Sequence, residues 1–533
     1  MCECPHPRLE IRGRRERSSA VTCRLDSAQG VTEMSNIISE RDRFSTSTTK
    51  KVTIIGAGVA GLVAACELED LGHHVEILEG SGRVGGRVRT HRFRAGPAAP
   101  LVELGAMRVP TKHRLAMAYI TKLGLTDKVR DFSTLFSEDE TYYTTGDGYV
   151  RVGDAATTLV DEFRHSLAEH RYRDHTILFG AWLMAVGTAI APRDFRGGLR
   201  EEFSLELLDQ VDRIDLSPFL RGRAKNQVDL SAFFAAHPEV RPGRNGELNR
   251  FVDDILCEIS PELVRLEGGM DQFTRRLAER IQGPVSLGQE VVGLHVRDDD
   301  VLIDIREGDR LDTRRCDYVL CTIPFPVLRR FALSGFSASK LAAIHEMKYW
   351  SATKVAFRCR EAFWERHGIT GGASFGGGRI RQTYYPPVEG DPANGAALLA
   401  SYTIGDDADV LGRMPAAVRH AAVLTELGRM HPELLRPDMV VDAASLAWGQ
   451  HRWSEGAAAV RWGKDADECE RERVRAARPE HRLFFAGEHC SSTTAWIEGA
   501  IESAINAVGE IHFHRPRARL MPVGGAAAKG DHR

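Results

Sequence analysis

The stretch KVTIIGAGVAGLVAACELEDLGHHVEILEG, residues 51–80, constrains the fold more than any other part of the chain. Val52–Ile55 is a short β-branched run, the composition of a strand buried on both faces in a parallel sheet. Gly56, Gly58 and Gly61 follow at once, and Ala60 falls between them. The apolar spacing of Leu62–Leu71 predicts an amphipathic helix ended by Gly72, and Val75–Leu78 predicts a second strand closed by Glu79. A lone GxGxxG is a weak signal. Here a strand precedes it, a helix follows, and an acid stands about twenty residues on, where it can accept ribose hydroxyls. The glycines let the backbone approach a pyrophosphate that lies on the helix N-terminus. The sequence therefore predicts an α/β fold with a Rossmann-type dinucleotide site.

A second glycine group, GSGRVGGRVRT at 80–90, follows the second strand. Gly85 and Gly86 followed by Arg87 resemble the extended fingerprint of FAD enzymes, in which this loop lies along the cofactor's phosphates. That favours a flavin over a nicotinamide. Later segments return to the same pattern. VSLGQEVVGLHVRDDDVLIDIREG at 285–308 alternates about Asp298–Asp300 as a hairpin would, and CDYVLCTIP at 316–324 reads as a buried strand stopped by Pro324. HRLFFAGEHCSSTTAWIEGAIESAINAVGEI at the end reads as strand, glycine turn, loop and a helix from about Trp496. Between these pieces lie a helical stretch from about Thr111 to Pro261 and a mixed stretch from about 334 to 445, with strand-like TKVAFRC and ALLASYTI. The expected organisation is a discontinuous nucleotide-binding domain (51–110, 265–333, 446–514), a helical substrate region (111–264) and an interleaved α+β substrate domain (334–445).

Composition narrows the function classes. The 533 residues carry a net charge of −3 and are 43% hydrophobic and 27% charged, so no strong field points to nucleic acid or to a membrane surface. No apolar run reaches the length of a membrane span. The first fifty residues lack the apolar core of a secretory signal, and Met34 offers a second start. Both tails, 1–50 and 515–533, are expected to be disordered. The ten cysteines form no CxxC pair, which predicts reduced, mostly buried thiols and a cytoplasmic setting. His165, His170 and His175 stand five residues apart, so they do not share one helix face and predict a solvated surface rather than a metal site.

Arg108, in VELGAMRVPTKHR, is a cation among apolar residues. Such an arginine serves either an internal ion pair or a ligand, and its planar guanidinium suits a carboxylate. Lys354, in SATKVAF, is expected to be at least partly buried, unless it snorkels to the surface.

These motifs together resemble those of the flavin-containing amine oxidases, and within them the L-amino-acid oxidases and amino-acid 2-monooxygenases. The resemblance spans roughly residues 50–512 and rests on GAGVAGL with Glu79, GGR at 85–87, GAMRVP at 105–110, SATK at 351–354, YTIGDDA at 402–408 and FAGEHCSSTTAWIEGAIESA at 485–504. It implies oxidation of an L-α-amino acid to its imino acid, giving 2-oxo acid, ammonia and hydrogen peroxide from O2. The alternatives are oxidative decarboxylation to an amide, an oxidase dedicated to one biosynthetic amino acid, and a flavin protein without catalysis. By resemblance Arg108 and Tyr402 hold the substrate carboxylate, Lys354 holds a water beside the flavin, and Ala495 and Trp496 wall the substrate pocket. The same resemblance assigns Gly105, Ala106, Met107, Arg108 and Val291 to the cofactor, as well as Gly487, Glu488 and the amides of Trp496 and Ile497. Monoamine oxidases attach flavin through a cysteine in the stretch that aligns with WSEGAAAV at 453–460, which has none here; non-covalent FAD is therefore expected. Resembling proteins are commonly homodimers.

Overall fold

The computed structural model describes residues 48–515, apart from 97, 147, 168–170, 192–204, 223 and 241–245. A five-stranded parallel sheet forms the centre of one core, in the order Val285–Leu287, His74–Glu79, Lys51–Ile55, Tyr318–Cys321 and Leu483–Phe485. Lys51–Ile55 lies near the middle, pairing Val52 with Val75 on one side and with Tyr318 on the other. Its four buried residues explain the β-branched run, because helices or a second sheet cover both faces.

The helix after the glycine turn runs from Val59 to Asp70, three residues earlier than the apolar spacing predicted, with Leu71 as its C-cap. It is not amphipathic. Nine of its residues are buried, because its alanines, glycine and cysteine let it sit between the sheet and the long C-terminal helix Ile497–Phe513. The hairpin about Asp298–Asp300 joins Glu290–Val296 to Val301–Glu307 in a four-stranded sheet that packs against the other side of the core.

The second large sheet has seven strands, in the order Val440–Ala447, Ala352–Cys359, Ala396–Ile404, Arg381–Tyr384, Ala373–Gly377, Tyr142–Thr145 and Gly148–Arg151. Its last two strands lie inside the stretch expected to be helical. The run of tyrosine and threonine favours extended chain, and Gly148 at φ 136° supplies a turn that other residues rarely adopt. The other described residues of that stretch are mainly helical, including Arg114–Lys122 and Asp174–Ile190. No helix among the described residues is long and apolar enough to cross a membrane. Seven cysteines are described, all buried and none in a disulfide. His165 lies exposed on a helix and His175 begins another, whereas His170 lies outside the described residues.

Two glycines of the first turn play different physical roles. A Cβ on Gly61 would stand 2.0 Å from the carbonyl oxygen of Gly56, whereas one on Gly58 would meet nothing nearer than the Cα of Gly86 at 4.0 Å. Gly61 is thus fixed by packing, whereas no contact within the protein requires Gly58 to lack a side chain. Gly61→Ala is expected to cost at least about 1–3 kcal/mol by overpacking, while Gly58→Ala leaves stability nearly unchanged; chemical denaturation of both purified variants checks this.

Candidate active site

A cleft of about 1320 Å³ of empty space runs between the parallel sheet and the seven-stranded sheet. Sixteen of the residues singled out in the sequence line it: Gly56, Gly58, Ala60, Glu79, Gly85, Gly86, Arg87, Gly105, Ala106, Lys354, Tyr402, Gly487, Glu488, Ala495, Trp496 and Ile497. Four do not. Gly61 is consumed by its contact with the turn. Val291 is buried in the same core cluster as Ile55 and Leu78, next to a register shift in its strand. Met107 and Arg108 lie just behind the cleft wall.

At one end, Glu79 is fixed as an acceptor. Its carboxylate takes the amide of Ala57 at 2.8 Å and that of Ser81 at 2.8 Å, so the strand end and the glycine turn are tied together with lone pairs to spare. The Gly85 amide donates to the Ala57 carbonyl at 2.8 Å and docks the second glycine loop on the first. Two helices begin at the cleft, Val59–Asp70 and Ile497–Phe513, and both direct unpaired amides and positive dipole ends towards it.

Arg87 and Glu488 make the central ion pair, Nη1 to Oε1 at 2.8 Å. Arg87 also donates to the Ala457 carbonyl, and Glu488 accepts from the amides of Ala459 and Ala495 at 3.2 and 3.0 Å. Burial alone would raise the Glu488 pKa, but the Arg87 charge and these donors hold it below the ordinary carboxylate value. Ala495 is held at φ 68°, a strained conformation for a residue with a side chain, beside the cleft. Trp496 caps the following helix, and its ring meets that of His113 edge-on at 5.2 Å. Burial, with Lys112 adding to it, pushes His113 down to about 4, so that ring is neutral at pH 7.

Lys354 and Tyr402 are directly opposed on neighbouring antiparallel strands and therefore share one face. The Lys354 Nζ sits 4.6 Å from the centre of the Tyr402 ring. It donates to the carbonyls of Gly105 at 2.7 Å and Glu103 at 3.2 Å. Its side chain is buried, and burial pushes its pKa down to about 7, helped by the charge of Arg108 and opposed by Glu103. Glu103 was not anticipated from the sequence. Its carboxylate accepts from Thr90 Oγ1 and the Met270 amide, and burial pushes it up to about 7.

Arg108 is buried, and its charge reaches both Lys354 and Tyr402. Nη1 donates to Tyr384 Oη at 2.8 Å and Thr134 Oγ1 at 3.2 Å, and Nη2 pairs with Glu258. The rings of Phe132 and Tyr384 flank the guanidinium. Arg108 thus has an internal carboxylate as its partner, a use that the sequence left open. Other lining residues that sequence reasoning missed are Arg83, Trp448 and Trp453. Trp448 Nε1 donates to the Leu104 carbonyl at 2.8 Å, and a Cβ on Gly80 would strike the Trp453 ring at 2.3 Å. That glycine beside the acidic strand end was the one signal that a large ring lies over it.

The profile of the flavin containing amine oxidoreductases matches residues 59–512. A flavin-dependent L-tryptophan oxidase, RebO, of Lentzea aerocolonigenes is 66% identical over 87% of this chain and 98% of its own length. An L-amino-acid oxidase of Siganus canaliculatus is 28% identical over 87% of this chain and 86% of its own. The solved structure of a putrescine oxidase bound to putrescine superposes with a TM-score of 0.58 at 19% identity, covering 87% of this chain and 99% of that one, a likeness of fold. With its nucleotide turn, second glycine loop and C-terminal helix arranged about one cleft, this chain belongs to the flavin containing amine oxidoreductase family.

Proposed function

We propose that this protein is an FAD-dependent L-amino-acid oxidase acting on an aromatic amino acid such as L-tryptophan. The observation that carries this reading is the 66% identity to a flavin-dependent L-tryptophan oxidase across nearly all of that relative's length. The geometry of Arg108, Tyr402 and Lys354 is consistent with it. The division into nucleotide domain (51–110, 265–333, 446–514), helical region (111–264) and substrate domain (334–445) is part of the same proposal.

The cleft suits a flavin dinucleotide. Gly58 leaves room for close approach, Glu79 presents a fixed carboxylate, and the helix N-termini at Val59 and Ile497 offer positive ends to a pyrophosphate and to an electron-rich ring. Trp453, Ser454, Ala457 and Ala458 line it where covalent relatives carry a cysteine, which supports non-covalent attachment. When bound, the flavin accepts the two electrons removed from the substrate and passes them to O2.

The chain's own residues bind and orient the substrate. Arg108 takes the α-carboxylate through parallel N–H donors, and Tyr402, opposite Lys354 in the seven-stranded sheet, adds a hydroxyl. An amine without a carboxylate gains nothing from that pair. Lys354 Nζ donates to two carbonyls and to the Met107 thioether at 3.4 Å, and its side chain also lines the cleft, where it is assigned a water beside the flavin. Because burial sets its pKa at about 7, Lys354 is increasingly neutral above that pH and can then accept a proton from the water it holds.

Four measurements test this assignment. Anaerobic mixing with L-tryptophan should bleach the flavin of the wild type, and Arg108→Ala should lower kcat/KM by about 10²–10³-fold, the cost of a lost buried charge pair, with flavin still bound. Loss of flavin from that variant would make Arg108 structural. For Lys354→Met, the pH profile of the flavin cycle should lose the inflection near pH 7, which stopped-flow absorbance across pH 5–9 detects; a 2-oxo acid as the product, rather than an amide, identifies the oxidase.

A further inference from the structure

Arg108 and Glu258 are unequal partners. Arg108 leaves only 5% of its side chain exposed, and its Nη1 is committed to the neutral hydroxyls of Tyr384 and Thr134. Glu258 is the last residue of the helix Gly246–Glu258, and 29% of its side chain is exposed. The helix end is fastened independently of the carboxylate, because Thr134 Oγ1 donates to the Glu258 main-chain carbonyl at 3.0 Å. Glu258 can therefore swing its carboxylate towards water without moving the backbone, whereas Arg108 has no such exit. An uncompensated buried guanidinium is expensive, so a vacated Arg108 must be supplied with another anion.

We infer that Glu258 is a specificity-determining residue, an internal carboxylate that occupies Arg108 until an amino-acid carboxylate displaces it and that reclaims Arg108 when the product leaves. This rests on the reading of Arg108 as the carboxylate site. The exchange swaps one ion pair for another and leaves the charge around Arg108 unchanged. Amines and other ligands without a carboxylate cannot perform it. The 2-oxo acid product carries a carboxylate too, so Glu258 competes with it and shortens its stay. The protein accepts weaker substrate binding, and product release is faster as a result.

Glu258→Gln keeps the side chain's shape and removes the charge that competes. On flavin-loaded protein, isothermal titration with indole-3-acetate, a carboxylate with no amine to oxidise, should show binding on the order of tenfold tighter than in the wild type, the worth of one partly exposed charge-assisted hydrogen bond. The KM for L-tryptophan should fall in parallel while kcat stays level or drops. Glu258→Asp keeps the charge and should stay within about twofold of the wild type. Mere structural damage would weaken binding, so the sign of the change decides. Weaker or unchanged binding in Glu258→Gln, with binding still abolished in Arg108→Ala, would overturn the role of Glu258 and leave the carboxylate site standing. Undiminished indole-3-acetate binding in Arg108→Ala would remove the carboxylate site itself, and the inference with it.

Discussion

One buried carboxylate holds the cleft together. Glu488 accepts from the Arg87 guanidinium and from the amides of Ala459 and Ala495, and Arg87 passes the connection on to the Ala457 carbonyl. These residues come from the second glycine loop and from two stretches near the C-terminal end, the 457–459 segment and the turn at Glu488, which lie 370 and 401 residues from Arg87. A buried charge this well satisfied gains little stability in net terms, because desolvation offsets most of the attraction. It does fix position. Few other arrangements of the three stretches would leave both charges paired, and the strained backbone of Ala495 is held in place by the same carboxylate.

The proposed chemistry assigns its proton to a second buried group, one that is far less well satisfied. Lys354 is bonded to two carbonyls and the Met107 thioether rather than to a carboxylate, and its neighbour Arg108 is a like charge. Its ammonium is therefore poorly supported, and its proton is held loosely near neutral pH. Glu103, at the end of the strand Leu101–Glu103 and with its main-chain carbonyl bonded to Lys354, is buried in turn and holds its own proton more tightly than a solvated carboxylate does. The two shifts have one origin, the exclusion of water from the seam between the two sheets. A small change in packing there would move both.

Much of this was legible in the sequence where a single residue type is demanded by local geometry. The glycine turn, Glu79, the second glycine loop and the final helix are all set by backbone approach and strand alternation, and short-range pattern shows them. Lys354 and Tyr402 were assigned separately by resemblance, but that they face one another follows from the register of two strands about fifty residues apart. Glu258, Glu103 and Trp453 were not legible, because each matters only through a partner that the chain brings from far away. The tyrosine- and threonine-rich hairpin at 142–151 was hidden for a different reason. It lies in a mainly helical stretch, and its place is decided by an edge of the distant seven-stranded sheet. Arg108 illustrates the boundary well: its burial could be foreseen, but the identity of its internal partner could not.

The order of strands in the parallel sheet has a consequence for how the molecule is made. Lys51–Ile55 pairs with a strand more than 260 residues later, and that strand pairs in turn with Leu483–Phe485 near the end of the chain. The helix that covers the glycine-turn helix, Ile497–Phe513, comes later still. Contacts so distant in sequence close slowly, and a ribosome delivers the N-terminal strands long before their last neighbour exists. For most of its synthesis the nascent chain therefore carries an uncovered sheet edge and an apolar helix face. This architecture makes the nucleotide cleft one of the final features to form, and it places the greatest demand on chaperones before the last fifty residues emerge.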